Sequence, residues 1–311
     1  MKKIVIRIVC YNQEDVISRA LDSVLCQKDW GLYKIVVSDD CSTDRTWEIL
    51  KNYESQYPEI VEIHRNEKNQ GIYGNVEISD QYVKNIDYDL LGGLSGDDEY
   101  CDGYFEGVQK LVEKENIDTN EAVGIYSDWK AVHPGGKDVI FKQDSVLSGE
   151  SLWSLYVRFK ISGRSLMVTK RVRDNFDPML HGRGLNLVES HYDSQSHLNI
   201  KKAYYFPFVA SIYYTGIGVS TRLSPKHSDY ATKQCIEKWQ YFLEHYVNSE
   251  EDKYYARYEK CKAEYMMRPQ LMSLPTLFFL YHKGQLNSCR PTLKETLRTF
   301  FNLLKYRFSY E

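Results

Sequence analysis

Hydrophobic and polar positions follow two rhythms along this chain. Over residues 1–128, short apolar runs alternate with stretches in which apolar residues recur at helical spacing. Residues 4–9 form a near-continuous apolar run, as expected for a strand covered on both faces. Val16, Ile17, Ala20, Leu21, Val24 and Leu25 then repeat with a period near 3.6, which predicts a helix. Strands are predicted at 34–38, 60–64, 89–94 and 123–126. Between them, helices carry Trp47, Leu50 and Tyr53 on one face, and Tyr104, Phe105, Val108, Leu111 and Val112 on another. A polar, glycine-bearing stretch at 69–75 leads into a further helix. This alternation predicts an α/β fold with a mostly parallel sheet flanked by helices.

After residue 128 the rhythm loosens. A turn is expected at 133–136, a helix at 151–160 and strands at 165–169 and 203–214, with a polar, irregular stretch at 186–198. Beyond residue 224 the pattern is helical and charged. The expected organisation is therefore one α/β domain over 1–222, with a first half at 1–128 and a second at 129–222, and a helical C-terminal extension over 223–311. The last segment puts Leu293, Leu297, Phe300, Phe301, Leu304 and Phe308 on one face, with Lys294, Arg298, Lys305 and Arg307 among them. That pattern fits a helix lying in a membrane surface, and somewhat better a helix packed on the protein body or a second subunit.

Composition narrows the classes. A net charge of −3 over 311 residues gives no global electrostatic case for nucleic acid. Seven cysteines, an odd number without Cys-x-x-Cys spacing, argue against a disulfide framework and a zinc knuckle, and fit a reducing cytoplasm. Arg7 interrupts the first apolar run and no small-residue cleavage site follows, so the run reads as a buried strand rather than a signal peptide. No stretch reaches the roughly 18 apolar residues of a membrane span.

Two aspartate pairs carry the candidate chemistry. Asp39-Asp40 follows the second predicted strand and Asp97-Asp98 the fourth. Adjacent carboxylates repel, so pairs placed beside apolar strands call for a cation or hydrogen-bond donors. Ligands of open α/β sheets bind outside the carboxyl ends of the strands. For a nucleotide-diphosphate ligand, Tyr11 would stack on the base, Asp39 would accept from it and Asp98 would hold a metal. No Gly-x-x-x-x-Gly-Lys string occurs, and Cys10-Tyr11-Asn12-Gln13-Glu14 stands where a dinucleotide fold needs its glycines.

Four segments in order resemble the motifs of family 2 glycosyltransferases. Cys10-Tyr11-Asn12-Gln13-Glu14 resembles their opening motif, and Asp39-Asp40-Cys41-Ser42-Thr43-Asp44 their Asp-Asp-Gly-Ser-x-Asp. Asn69-Gln70-Gly71 with Asn75 is similar to their Asn-x-Gly…Asn, and Ser95-Gly96-Asp97-Asp98 stands in the place of their metal motif. The resemblance covers roughly residues 3–220. It implies a GT-A fold and an inverting, metal-dependent transferase moving a sugar from a nucleotide-diphospho-sugar, with UDP favoured. The acceptor would be a glycan or a lipid-linked sugar, in surface polysaccharide biosynthesis. Tyr11, Asn12, Glu14, Asp39, Asn69, Gly71 and Asp97 would form the donor site, and Asp98 would bind Mg²⁺ or Mn²⁺. The base would be Glu189, with Asp193 a rival and His191 a weaker one. Such an enzyme would be cytoplasmic, at the inner face of the membrane if the last helix binds lipid.

The chain departs from the family pattern at Ser95, where many members have aspartate, and at Ser190, which follows the candidate base. These departures keep open a second reading, a catalytically degenerate protein that binds sugar nucleotides or glycans. A sugar-nucleotide pyrophosphorylase would need a glycine-rich basic loop after the first strand, which is absent. Asp128, Arg164 and the stretch 214–221 are secondary candidates for acceptor, phosphate and loop-closure roles, against ordinary roles as a strand-end cap, a surface arginine and a turn.

Overall fold

The computed structural model describes residues 1–157, 161–175, 196–216, 228–247, 249–267, 273–283, 294, 297, 298 and 300–302. The chain divides into two compact units, Met1–Arg222 and Leu223–Glu311.

The first unit is built on β1 (Ile4–Cys10), flanked in parallel by β2 (Leu32–Asp39) and β4 (Leu90–Ser95), with β3 (Val61–Arg65) parallel to β2. Ile4, Ile6, Ile8, Ile35 and Val37 are wholly buried, as the apolar runs require. The connecting helices are α1 (Ile17–Leu25), α2 (Thr46–Gln56), α3 (Gly71–Lys84) and, after the short strand β5 (Glu99–Tyr100), α4 (Tyr104–Lys114). Helix α1 buries Ile17, Ala20, Leu21, Val24 and Leu25, the face that the sequence spacing predicts.

The second half of this unit adds β6 (Val123–Val132), β7 (Val139–Phe141), the short helices α5 (Leu152–Val157) and α6 (Lys170–Asp174), β8 (Leu166–Thr169) and β9 (Lys202–Tyr214). The order across the sheet is β3-β2-β1-β4-β8-β6-β9-β5, with β7 on β6. Pairing is parallel from β3 to β4. It turns antiparallel on both sides of β8 and becomes parallel again between β6 and β9. The sheet is thus mixed, within the α/β architecture that the sequence predicts.

Strand β6 runs past the predicted end at residue 126, because β9 pairs with it as far as Val132. Asp128 consequently lies inside the strand, at a register shift, rather than at its end. It is 4% exposed and accepts from the Gln143 amide at 2.9 Å and the Tyr205 hydroxyl at 2.9 Å, so its surroundings are those of a structural acceptor.

The second unit carries α7 (Ser228–His245), α8 (Glu250–Met267) and α9 (Ser273–Lys283). Ser249 caps α8 by accepting from the Asp252 amide at 3.1 Å. Tyr258, Tyr265, Leu277 and Leu280 form an apolar cluster against which Phe300 packs. Among the described residues no helix is long and apolar enough to cross a membrane.

One buried group gives the first unit an acid-sensitive point. His197 is 2% exposed; its Nδ1 lies 2.7 Å from the Tyr126 hydroxyl, and among the described residues its Nε2 has no hydrogen-bond partner. Burial pushes its pKa down to about 3. The folded state keeps this ring neutral while an unfolded histidine, near 6.5, takes up a proton. Its contribution is therefore full above about pH 6.5 and falls as the pH drops toward 3. Acidification from pH 7 to 5 is expected to cost about 2 kcal/mol through this group. Denaturant unfolding of wild type and His197→Phe across this range measures it: the variant should show the shallower pH slope.

Candidate active site

Parallel pairing brings the predicted motifs to one edge. Cys10 pairs with Asp39 and Val9 with both Ser38 and Ser95, so β1, β2 and β4 end together. The chain runs from β1 outward through β2 to β3, then returns to place β4 on the other side of β1. The boundary between β1 and β4 is the switch point at which α/β sheets open a crevice. Tyr11 stands at one lip and Gly96-Asp97-Asp98 at the other.

The loop after β1 is laced to the loop after β2. The Asn12 amide donates to Ser42 Oγ (2.9 Å), and Asn12 Oδ1 accepts from the Thr43 amide (2.7 Å). The Gln13 amide donates to Thr46 Oγ1, the Glu14 amide to Asp44, and Glu14 Oε2 accepts from the Arg45 amide and Nε. Asn12 and Glu14 thus spend their side chains on loop structure. Tyr11 is 37% exposed and presents its ring at the edge.

Asp39 is wholly buried. It accepts from the hydroxyl and amide of Ser42, and Arg65 Nε lies 3.3 Å from its Oδ2. Burial raises its pKa, against the lowering effect of those partners. Asp40 Oδ1 accepts from Asn66 Nδ2 and the Gln70 amide, both at 2.8 Å. Asn75 binds Ser38 through both ends of its amide, which ties α3 to the end of β2. Asn69 and Gly71 are exposed at the start of α3, where Asn69 Oδ1 accepts from the Gly71 amide (3.0 Å).

The second pair is the less satisfied one. Gly96 crosses so close to β1 and α1 that a Cβ there would lie 2.3 Å from Gln13 Oε1 and 2.9 Å from Cys10 Cβ, which sets Asp97 and Asp98 against the switch point. Asp97 is 6% and Asp98 5% exposed. Burial, and then the neighbouring Asp97, push the Asp98 pKa up to about 7 despite Arg164, the Tyr214 amide and Arg19. Arg164 Nη1 is 3.4 Å from Asp98 Oδ2, and its guanidinium lies over the Tyr213 ring at 3.8 Å. Arg19 donates to the Asp97 carbonyl at 2.5 Å and lies over Tyr214 at 3.7 Å.

Asp97 and Asp98 therefore meet two arginines, an arrangement only half visible in the sequence. Arg164 stood there as a secondary candidate; Arg19 and Arg65 did not stand out. The signal for Arg19 was its place in the first turn of the helix after β1, where a side chain returns toward the carboxyl edge. Glu189, His191 and Asp193 lie outside the described residues, as does the stretch 217–221; β9 ends at Tyr214, whose amide reaches Asp98 Oδ1 at 3.3 Å.

Residues 5–137 match the family model for glycosyl transferase family 2. This segment is similar to glycosyl transferase family 2. Outside family models, the chain is 32% identical over 119 residues to a processive diacylglycerol beta-glycosyltransferase of Mycoplasma pneumoniae, a match covering 38% of this chain and 34% of that protein. It is 43% identical over 67 residues to a poly(ribitol-phosphate) beta-glucosyltransferase of Bacillus spizizenii, covering 20% and 10%. The chain thus spans about a third or less of the length of these curated relatives. In structure it is similar to S. aureus TarS 1-349 in complex with UDP-GlcNAc, with a TM-score of 0.59 at 14% identity over 91% of this chain and 80% of that one. It is also similar to a mannosyltransferase of Pyrobaculum calidifontis in complex with GDP-Man and Mn²⁺, with a TM-score of 0.53 at 14% identity over 99% and 82%.

The family motif explains one strained position. Cys41 has φ +62, in the left-handed region, where the motif that this segment resembles carries glycine. A side chain there costs about 1–2 kcal/mol, partly returned by the lower chain entropy of a non-glycine residue. Cys41→Gly should hold stability or raise it by up to about 1 kcal/mol, whereas Cys41→Val, β-branched, should lower it by at least about 1 kcal/mol. Paired denaturation curves check the order.

Proposed function

We propose that this chain is an inverting glycosyltransferase that uses a nucleotide-diphospho-sugar, with UDP-sugars the favoured donors. The observation that carries the reading is the buried, under-compensated Asp97-Asp98 pair, set across the switch point from the exposed Tyr11 within a segment similar to family 2. The UDP-GlcNAc complex of a structural neighbour supports the donor class. Two curated relatives are named for beta-glycosyl transfer to diacylglycerol and to poly(ribitol-phosphate), which supports a glycan or lipid-linked acceptor in surface polymer or glycolipid assembly. The six described cysteines are free thiols, which suits a reducing cytoplasm.

The donor's base would stack on Tyr11. Asp39 takes part mainly by holding the loop at 39–46, and reaches a ring N–H only by exchanging Ser42 or Arg65 for it. Asp97 lies beside Asp98, where it would meet the ribose.

The chemistry of the acidic pair fits a divalent cation. Two buried carboxylates, one with its pKa raised to about 7, lack positive charge even with Arg164 and Arg19 near. Asp98 would hold Mg²⁺ or Mn²⁺, and with so few protein oxygens the remaining ligands would come from the diphosphate and water. When bound, the metal supplies Lewis-acid stabilisation of the departing diphosphate. Arg164 would move from Asp98 to the phosphate, its planar fork donating to two phosphate oxygens. Glu189 or Asp193 would take the proton from the acceptor hydroxyl, whose oxygen attacks the anomeric carbon as the nucleotide leaves from the opposite face.

A degenerate binding protein is the second reading. The Arg164–Asp98 contact and Ser95, which offers no third carboxylate, favour it. Turnover decides between the two. Asp98→Asn is expected to abolish donor hydrolysis and transfer, and Glu189→Gln or Asp193→Asn to lower kcat by about 10²–10⁴-fold at whichever position is the base. The product anomer, read by NMR, should be inverted. Tight donor binding with no turnover against any acceptor supports the binding protein instead.

A further inference from the structure

The helical unit presents an apolar surface that its own core does not use. On α9, Leu277 and Leu280 turn into the cluster with Tyr258 and Tyr265, while Phe278 and Phe279 face outward at 44% and 51% exposure. Phe300 packs on Phe278 with ring centroids 5.0 Å apart, which brings the C-terminal segment beside α9. That segment adds Leu297 at 48% and Phe301 at 61% exposure, one helical turn apart. Four large apolar side chains on two adjacent elements exceed the scattered exposure normal for a soluble surface.

The segment that completes this patch carries exposed basic residues. Lys294 and Arg298 are exposed, and among the described residues neither has an ion-pair partner. Over residues 273–311 the sequence has six Lys and Arg against two Glu, in a chain whose net charge is −3. Basic residues interleaved with aromatic and aliphatic ones suit an interface with apolar depth and an anionic face. A second copy of the chain would bring the same positive charge to the same patch and is disfavoured.

We infer that this face of the helical unit docks on an anionic lipid surface, with Phe278, Phe279, Leu297 and Phe301 entering the headgroup boundary and Lys294 and Arg298 meeting lipid phosphates. The surface does not depend on the transferase reading, and its test needs no turnover. The full chain would be floated with vesicles of phosphatidylcholine alone and of phosphatidylcholine with phosphatidylglycerol. Partition should favour the anionic vesicles strongly and fall in about 0.5 M salt. Lys294→Gln with Arg298→Gln should reduce it by an order of magnitude or more, at about fivefold per basic residue. Phe278→Ser with Phe279→Ser, and separately Leu297→Ser with Phe301→Ser, should each reduce it about tenfold or more; circular dichroism melts accompany both pairs, because Phe278 packs on Phe300 and Phe279 on Tyr254, whereas Leu297 and Phe301 are exposed. Failure of wild type to bind anionic vesicles, equal binding to both vesicle types, or equal binding by wild type and the patch variants overturns the proposal. So does light scattering that shows a dimer which the Phe278→Ser/Phe279→Ser variant dissolves, with no vesicle binding.

Discussion

Four buried carboxylates stand at one edge of the sheet, and the structure around that edge is arranged to hold their charge. Asp39 and Asp40 are satisfied from within, by Ser42, Arg65, Asn66 and the Gln70 amide. Asp97 and Asp98 have less. Their compensation comes from Arg164 and Arg19, two side chains that also lie over Tyr213 and Tyr214. A carboxylate pair left short of positive charge in a crevice costs stability when nothing is bound and gains most from an incoming cation. Local geometry fixes this edge: Gly96 leaves no room for a side chain, and Asn12 and Cys41 adopt left-handed backbone at the neighbouring loops.

The first three strands and α1 were legible because both kinds of apolar pattern are strong there. Residues 4–9 could be little but a strand buried on both faces, and β1 adds only Cys10. The two short strands β5 and β7 have too few residues to show any period. The continuation of β6 to Val132 depends on β9, far along the chain, and no local signal announces it. The antiparallel insertion of β8 is a tertiary fact of the same kind.

The site was legible where a motif names residue types and opaque where partners decide. The aspartate pairs, Tyr11 and the stretch 69–75 announce themselves in the sequence and meet at the edge where parallel strands end. What each carboxylate touches did not show. Asp39 proves wholly enclosed, whereas Asp98, its counterpart across β1, is the group whose charge is under-compensated. Asn12 and Glu14 turn their side chains to the loop at 42–46, so their importance lies in fixing the shape of the crevice lip. Arg19 was hidden because a lone arginine among helical apolar residues reads as a solvated side chain.

Calorimetric titration of the full chain with UDP, with and without Mn²⁺, tests most directly whether this edge is a nucleotide-diphosphate site built around Asp98. Binding should be saturable and much tighter with the metal present, and the metal-dependent part should vanish in Asp98→Ala while the fold, by circular dichroism, is retained. No binding of UDP under either condition, or metal-dependent binding unchanged in Asp98→Ala, would contradict it.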